Sequence, residues 1–120
     1  MNDSGNPVRD KSFDFAVRIV KLYKFLTDEK RKYVLSKQIL RSGTAIGALV
    51  REGVNAESKA DFIHKLGIAQ KETDETCYWL ELLYTTEYID KKGFDSLFAD
   101  CEELLKIIRS IVITSKKNRE

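Results

Sequence analysis

The first candidates for chemistry are the carboxylates and the single histidine of the chain. Asp61 and His64 are three residues apart, and Glu72 and Glu75 repeat that spacing, so each pair lies on one face of a helix. Helical bundles that hold two metal ions use Glu side chains together with two Glu-x-x-His pairs. This chain has one His and so lacks the second pair. We therefore predict no metal and no cofactor.

Nucleophilic catalysis has little support in the sequence. Cys77 and Cys101 are the two cysteines, and each falls among apolar residues, where a cysteine behaves as a small buried hydrophobe. A second His that could build a base dyad is missing, and no Gly-rich phosphate loop follows a strand. His64 is expected on the surface. The prediction is a protein without catalytic residues.

Basic residues form a stronger candidate site. Residues 30–51 carry six basic and no acidic side chains. Three of the six share a helical stripe within roughly 80°, and such a stripe can follow nucleic-acid phosphates in a salt-dependent and mostly sequence-independent way. Exposed aromatic rings for base stacking are not expected, because the aromatic residues fall mainly on apolar stripes. The candidate nucleic-acid or partner-binding residues are Lys30, Arg31, Lys32, Lys37, Arg41 and Arg51.

The same cations have an alternative explanation. Residues 52–103 have a net charge of −8, and residues 104–120 a net charge of +4, so oppositely charged segments could neutralise one another. In that interpretation, Glu72 and Glu75 pair with Arg41, with Arg51 or with a lysine of a neighbouring subunit. The stripe would then be a solvated face or a set of contacts between subunits.

Hydrophobic spacing predicts the elements that position these groups. Phe15, Ile19, Leu22 and Leu26 recur at helical spacing, and similar stripes follow in three later segments. Four amphipathic helices with short connectors predict an all-α, antiparallel up-down-up-down four-helix bundle. The predicted helices run from an N-cap at Ser12 to near Thr27, from Tyr33 to Glu52, from Lys59 to Glu87 after a capping box at Ser58, and from a cap at Asp90 to near Ser115. The predicted organisation is a flexible N-terminus at 1–11, the bundle at 12–115 and a basic tail at 116–120.

Glycines mark places of close packing. Gly43 and Gly47 share one face of the second helix, and each costs roughly 1 kcal/mol relative to Ala in a helix interior. Close approach of another helix backbone is the usual compensation, so we predict that both are helix-packing glycines. Gly53 fits the left-handed position that follows a helix.

The composition excludes several classes of protein. The chain has 120 residues, 42% of them hydrophobic and 33% charged, with two cysteines and no apolar run of membrane-spanning length. The N-terminal segment lacks the apolar stretch of a secretory signal. We expect one soluble, cytoplasmic domain with no membrane partner.

Several segments of the chain resemble the family of 23S rRNA intervening-sequence proteins. The residues that carry the resemblance are 38–46 (QILRSGTAI), 51–53 (REG), 58–62 (SKADF) and 68–80 (IAQKETDETCYWL), and it extends over about residues 12–112. It implies a four-helix bundle that forms a homo-oligomer, a pentameric ring, without known enzymatic activity. The chain also resembles the accessory protein of diversity-generating retroelements, which implies nucleic acid and a nucleic-acid enzyme as partners.

These observations favour a non-enzymatic, homo-oligomeric helical scaffold. In the leading interpretation, the basic stripe of the second helix and the cationic C-terminus bind RNA, DNA or a nucleoprotein. The alternative is a pure protein-interaction oligomer in which the same Arg and Lys residues hold subunits together. A carboxylate metal-binding bundle is a remote third option. Self-association is expected through a face of helix 3, of helix 2 or of both, because helix 3 is long and carries two stripes, and because helices 2 and 3 have opposite charge.

Overall fold

The computed structural model describes residues 5–119 and confirms the predicted fold class. The four helices are α1 (Pro7–Asp28), α2 (Val34–Val54), α3 (Lys59–Thr85) and α4 (Lys91–Arg119). Each helix packs against the preceding and following one, and α1 closes the bundle against α4. The described part of the chain contains no strand. The bundle measures 48 × 27 × 23 Å.

The core follows the predicted apolar stripes. Phe15, Ile19, Leu22 and Leu26 of α1 are all buried. They belong to one continuous hydrophobic cluster that draws on all four helices. Burial of side chains of this size contributes roughly 1.5–3 kcal/mol each, which explains why helical spacing is a reliable guide to this fold.

The start of α1 corrects one prediction. Ser12 does not cap the helix, because α1 begins at Pro7 and the Asn6 side chain accepts a hydrogen bond from the Arg9 amide at 3.2 Å. Proline suits the first helical position, where its missing N–H has no intrahelical partner. Ser12 is instead fully buried inside the helix, and its hydroxyl donates to the Arg9 carbonyl. Residues 7–11 of the predicted flexible segment are therefore helical, and residues 1–4 lie outside the described part.

The end of α2 corrects a second prediction. Gly53 is inside the helix and is buried against the Leu66 side chain of α3. The left-handed φ expected for it is absent, since Gly5 is the one described glycine with a positive φ. Asn55 ends the helix instead, and its side-chain amide donates to the Arg51 carbonyl at 3.0 Å. Gly53 thus serves the close packing of two helices and not a turn.

The ends of α3 and α4 are partly as predicted. Ser58 caps α3 by accepting from the Asp61 amide at 3.0 Å, and Asp90 caps α4 by accepting from the Gly93 amide at 2.7 Å. The chain leaves α3 at Thr85, two residues earlier than expected, and Glu87 turns it with a φ of 68°. The prediction that α4 ends near Ser115 is wrong, because the helix continues to Arg119.

Both glycines of the α2 face lie against α1. A Cβ atom at Gly43 would sit 2.8 Å from Ile19 Cγ1, and one at Gly47 would sit 3.2 Å from the Ser12 carbonyl oxygen. The two helices therefore approach each other along this face. Among the residues that the structure describes, no helix has the length and apolar character to cross a bilayer.

Candidate nucleic-acid and partner surface

Arg41 lies at the centre of a charged cluster between α2 and α3. Its guanidinium donates to both carboxylate oxygens of Glu72 at 3.1 Å and also to the Glu75 carboxylate. The Trp79 indole Nε1 donates to the same Glu75 carboxylate at 2.9 Å. The predicted pairing of the two glutamates with Arg41 is thus confirmed, and it occurs within one chain.

This arrangement changes the acidity of its members. The hydrogen bond from Trp79, with the bond and charge of Arg41, holds the pKa of Glu75 below its ordinary value. The hydrogen bonds to Glu75 and Glu72 raise the pKa of Arg41. Two carboxylates surround one guanidinium, so the middle of the predicted basic stripe carries a net negative charge. Arg41 therefore links α2 to α3, and its guanidinium is not free to bind a phosphate.

The other two cations of the stripe have different surroundings. Lys37 and Arg51 are exposed, and neither forms an ion pair with a described residue. Arg51 lines an open groove of about 550 Å³ between α1 and α2, together with Arg9 and Phe13. Glu52 is also on this groove, but its carboxylate pairs with Lys65 of α3 at 3.1 Å. The groove therefore has a cationic rim around an apolar floor.

The connector cations occupy the opposite end of the bundle. Lys30 Nζ lies 5.8 Å from the centre of the Phe25 ring, and Lys32 Nζ lies 4.8 Å from the centre of the Tyr88 ring. Arg31 stands between them with a φ of 53° and is exposed. About 28 Å of helix, at 1.5 Å per residue, separates Lys32 from Arg51. Five of the six candidate residues therefore lie on either side of the acidic cluster, which contains the sixth, Arg41.

The expectation that exposed aromatic rings are absent is wrong. The structure exposes four of them by more than two fifths, in α1, α3 and the connector between α1 and α2: Phe13 (46%), Phe25 (41%), Tyr33 (54%) and Tyr78 (56%). A signal was present in the sequence, since neither Phe13 nor Phe25 falls on the spacing of the buried α1 stripe.

Helix α3 leaves less free surface than its two stripes implied. Glu72, Glu75 and Trp79 belong to the second stripe, and all are half-buried where α3 meets α2. Three charged residues of this face, Arg41, Glu72 and Glu75, are paired with one another within the chain. Helix α3 packs against both α2 and α4.

The remaining chemical candidates are not assembled into a reactive site. His64 is exposed, as predicted, and the described residues contain no group of three potential metal ligands. Cys77 and Cys101 are buried with their sulfur atoms 2.9 Å apart, as expected for small core residues. The contact with Cys77, together with burial, raises the pKa of the Cys101 thiol above its ordinary value. Such a thiol stays protonated, whereas nucleophilic cysteines are thiolates.

Comparisons with known proteins agree with this fold. The family model of the 23S rRNA-intervening sequence protein matches residues 5–110. A crystal structure from Bacteroides thetaiotaomicron, of a protein with unknown function from the S23 ribosomal protein family, is 58% identical with a TM-score of 0.86. The alignment covers 88% of this chain and 97% of that one. No protein with a curated description matches significantly. Since the family model spans most of the sequence, the chain belongs to the family of 23S rRNA-intervening sequence proteins.

Proposed function

We propose that this protein is a non-enzymatic cytoplasmic scaffold that binds nucleic acid, or a nucleoprotein partner, through the cations of residues 30–51. One observation carries the proposal. Five of the six cations in that segment form no ion pair within the described chain, and the exception is Arg41. The five are Lys30, Arg31, Lys32, Lys37 and Arg51.

Cations without an ion pair are suited to phosphate because they do not have to leave a carboxylate in order to bind it. Each contact with a phosphate releases condensed counterions, so the affinity falls as salt rises. Five such contacts predict a loss of roughly 10²–10³-fold in affinity between about 50 and 200 mM salt. The acidic cluster at Arg41 would contribute nothing favourable, so the affinity should depend little on that residue.

The test is nucleic-acid binding by a charge-reversed protein. We expect Lys37→Glu/Arg51→Glu to weaken binding of RNA or DNA at least tenfold, measured by fluorescence anisotropy. The matched control is Lys59→Glu/Lys71→Glu, which reverses two exposed lysines on α3 that also lack an ion pair in the described chain. The control should bind like the wild type. Absence of binding by the wild-type protein at about 50 mM salt would refute the proposal.

A second candidate function, a homo-oligomeric interaction module, is favoured by α1. Phe13, Val17 and Val20 lie on one face of this helix, and each is more than one third exposed. Contiguous exposed apolar residues are typical of protein contact surfaces. We propose that copies of the chain associate through this face. The family resemblance implies a pentamer, and a head-to-tail contact between unlike faces closes into such a ring.

The two functions are compatible and can be measured separately. Nucleic-acid affinity should fall with salt while the oligomer persists, because the proposed subunit contact is apolar. Light scattering on the samples used for anisotropy reports the oligomer mass. A charge-reversed variant that loses both binding and oligomer mass would show that the cations hold the subunits together.

A further inference from the structure

One end of the bundle combines aromatic rings with cations around an open cavity. The cavity measures about 880 Å³ and lies where the C-terminal ends of α1 and α3 meet the start of α4. Phe25, Tyr84 and Tyr88 line it with their rings, and Lys30 and Lys91 lie at its edge. Its volume falls within the range of about 300–1,000 Å³ that is usual for small-molecule pockets.

The cations of the α1–α2 connector lie beside these rings. Lys30 Nζ is 5.8 Å from the centre of the Phe25 ring, which is near the outer limit of a cation–π contact. Its ammonium group can therefore move to a phosphate with little loss. Lys32 Nζ lies 4.8 Å from the centre of the Tyr88 ring, and Arg31 is exposed between the two lysines. The Phe25 and Tyr88 rings thus each have a lysine nearby, which could contact the phosphate backbone of a nucleic acid whose base stacks on the ring.

A stack of further rings supports the cavity wall. The Tyr84 and Phe94 rings are stacked with centroids 4.6 Å apart, and the Phe94 and Phe98 rings follow at 4.9 Å. Because these rings are held by one another, Tyr84 presents an ordered surface. Phe25, which is 41% exposed, supplies the accessible ring of the site.

Two of the acidic residues in and around the cavity already have partners. Asp90 is used in capping α4, through its bond from the Gly93 amide at 2.7 Å. Lys91 is paired with Asp95 at 2.6 Å. Glu87 remains as the lining carboxylate without such a contact. Lys30 also lines the cavity, and Arg31 and Lys32 follow it in the chain.

We infer that this cavity receives an unpaired base of a single-stranded RNA or DNA. The base stacks on the Phe25 ring, and Lys30, Arg31 and Lys32 contact the flanking phosphates. Aromatic stacking beside a cationic path is how proteins bind single strands, since every base has a face that can stack. In a duplex the bases are already stacked and their faces are not available. The inference rests on the proposed function and adds that the bound nucleic acid is single-stranded.

The test uses the full chain and fluorescein-labelled oligonucleotides of about 12 nucleotides. The probes are a single-stranded RNA, the same sequence as DNA, the corresponding DNA duplex, and an abasic single strand of equal charge. We expect the single strands to bind more tightly than the duplex. Phe25→Leu should weaken their binding by about 5- to 100-fold, because a stacked base contributes about 1–3 kcal/mol. Binding of the abasic strand should not change.

Tyr78→Leu is the matched control, since Tyr78 is 56% exposed on α3 but lies outside this cavity. It should bind every probe like the wild type. Phe25→Trp keeps an aromatic ring and should retain binding, with quenching of the new indole fluorescence. Thermal denaturation monitors the folding of each variant.

The outcomes separate this inference from the function on which it rests. Equal binding of duplex and single strand, with no effect of Phe25→Leu, would overturn the single-strand inference and leave nucleic-acid binding intact. Absence of binding to all four probes would overturn both. Equal weakening by Tyr78→Leu and Phe25→Leu would show that the cavity is not the binding site.

Discussion

Gly43 of α2 lies directly against Ile19 of α1, with space for a hydrogen atom but not for a methyl group. A Cβ atom at Gly43 would be 2.8 Å from Ile19 Cγ1 and 2.9 Å from Cγ2. Both residues are buried, and Ile19 has a branched side chain that is stiff near the backbone. The cost of a glycine within a helix is therefore offset by close packing of the two helices.

Replacement of glycine by alanine should have opposite effects on stability at Gly43 and at Gly67. Gly43→Ala should lower the free energy of unfolding, because overpacking costs about 1–3 kcal/mol and outweighs the gain in helix propensity. Gly67→Ala is the control, since a Cβ there meets nothing within 4 Å. It should raise stability by up to about 1 kcal/mol. Urea denaturation measures both values, and stabilisation by both variants would contradict the packing explanation.

The acidity of Glu75 predicts a pH-dependent contribution to stability. Its pKa in the native state is below the ordinary 4.5, because Trp79 and Arg41 both donate to the carboxylate. A lowered pKa stabilises the fold at pH values above 4.5, and this contribution is lost as the pH falls through the lowered value. At pH 7, Glu75→Gln should lower the free energy of unfolding by up to about 1 kcal/mol, as is usual for exposed ion pairs.

The pH profile distinguishes this mechanism from a loss of packing. The difference between wild type and Glu75→Gln should shrink as the pH falls from the ordinary value of 4.5 through the lowered native value, because the unfolded carboxylate is protonated first and the native one last. Glu81→Gln is the control, an exposed α3 carboxylate without an ion pair in the described chain. A difference that is constant with pH would contradict the argument.

The two cysteines should be unreactive in the native protein. Cys77 and Cys101 are 7% and 0% exposed, and the pKa of the Cys101 thiol is raised by its contact with Cys77 and by burial. A reagent that reacts with thiolates at pH 8 should therefore modify Cys77 and Cys101 of the native protein only when the bundle opens. In urea, where the protein is unfolded, both cysteines should react quickly. A Ser110→Cys variant, at an exposed position of α4, provides the fast reference. Equally fast modification of the native wild type would contradict the expectation.

The exposed apolar face of α1 predicts how the oligomer can be disrupted. Val17 is 38% exposed, and Val17→Glu places a charge in the proposed subunit contact without entering the core. The mass by light scattering should fall toward the 13.8 kDa of one chain. Ile113→Glu, at an α4 position that is 51% exposed, is the control and should leave the mass unchanged. A wild-type mass of one chain at micromolar concentration would refute self-association.

Helix positions and the core were predictable because their signals are local. The α1 stripe, the Ser58 cap and the Asp90 cap each depend on residues within about one helical turn. The helix ends were predicted less well. Ser12 was predicted as the N-cap of α1 and Gly53 as the residue that follows α2, because serine and glycine are common at such helix ends.

The assignment of the surface depended on the tertiary structure. The sequence alone determined that residues 30–51 are cationic and that their helix is amphipathic. Only the fold decided that Arg41 meets Glu72 and Glu75, that Lys30 lies over Phe25, and that an aromatic cavity opens beside the connector. Helical periodicity repeats every few residues, so it can be recognised within a short segment. The partners of Arg41 are more than 30 positions away in the chain, and only the packing of whole helices against one another determines which side chains meet and which remain exposed.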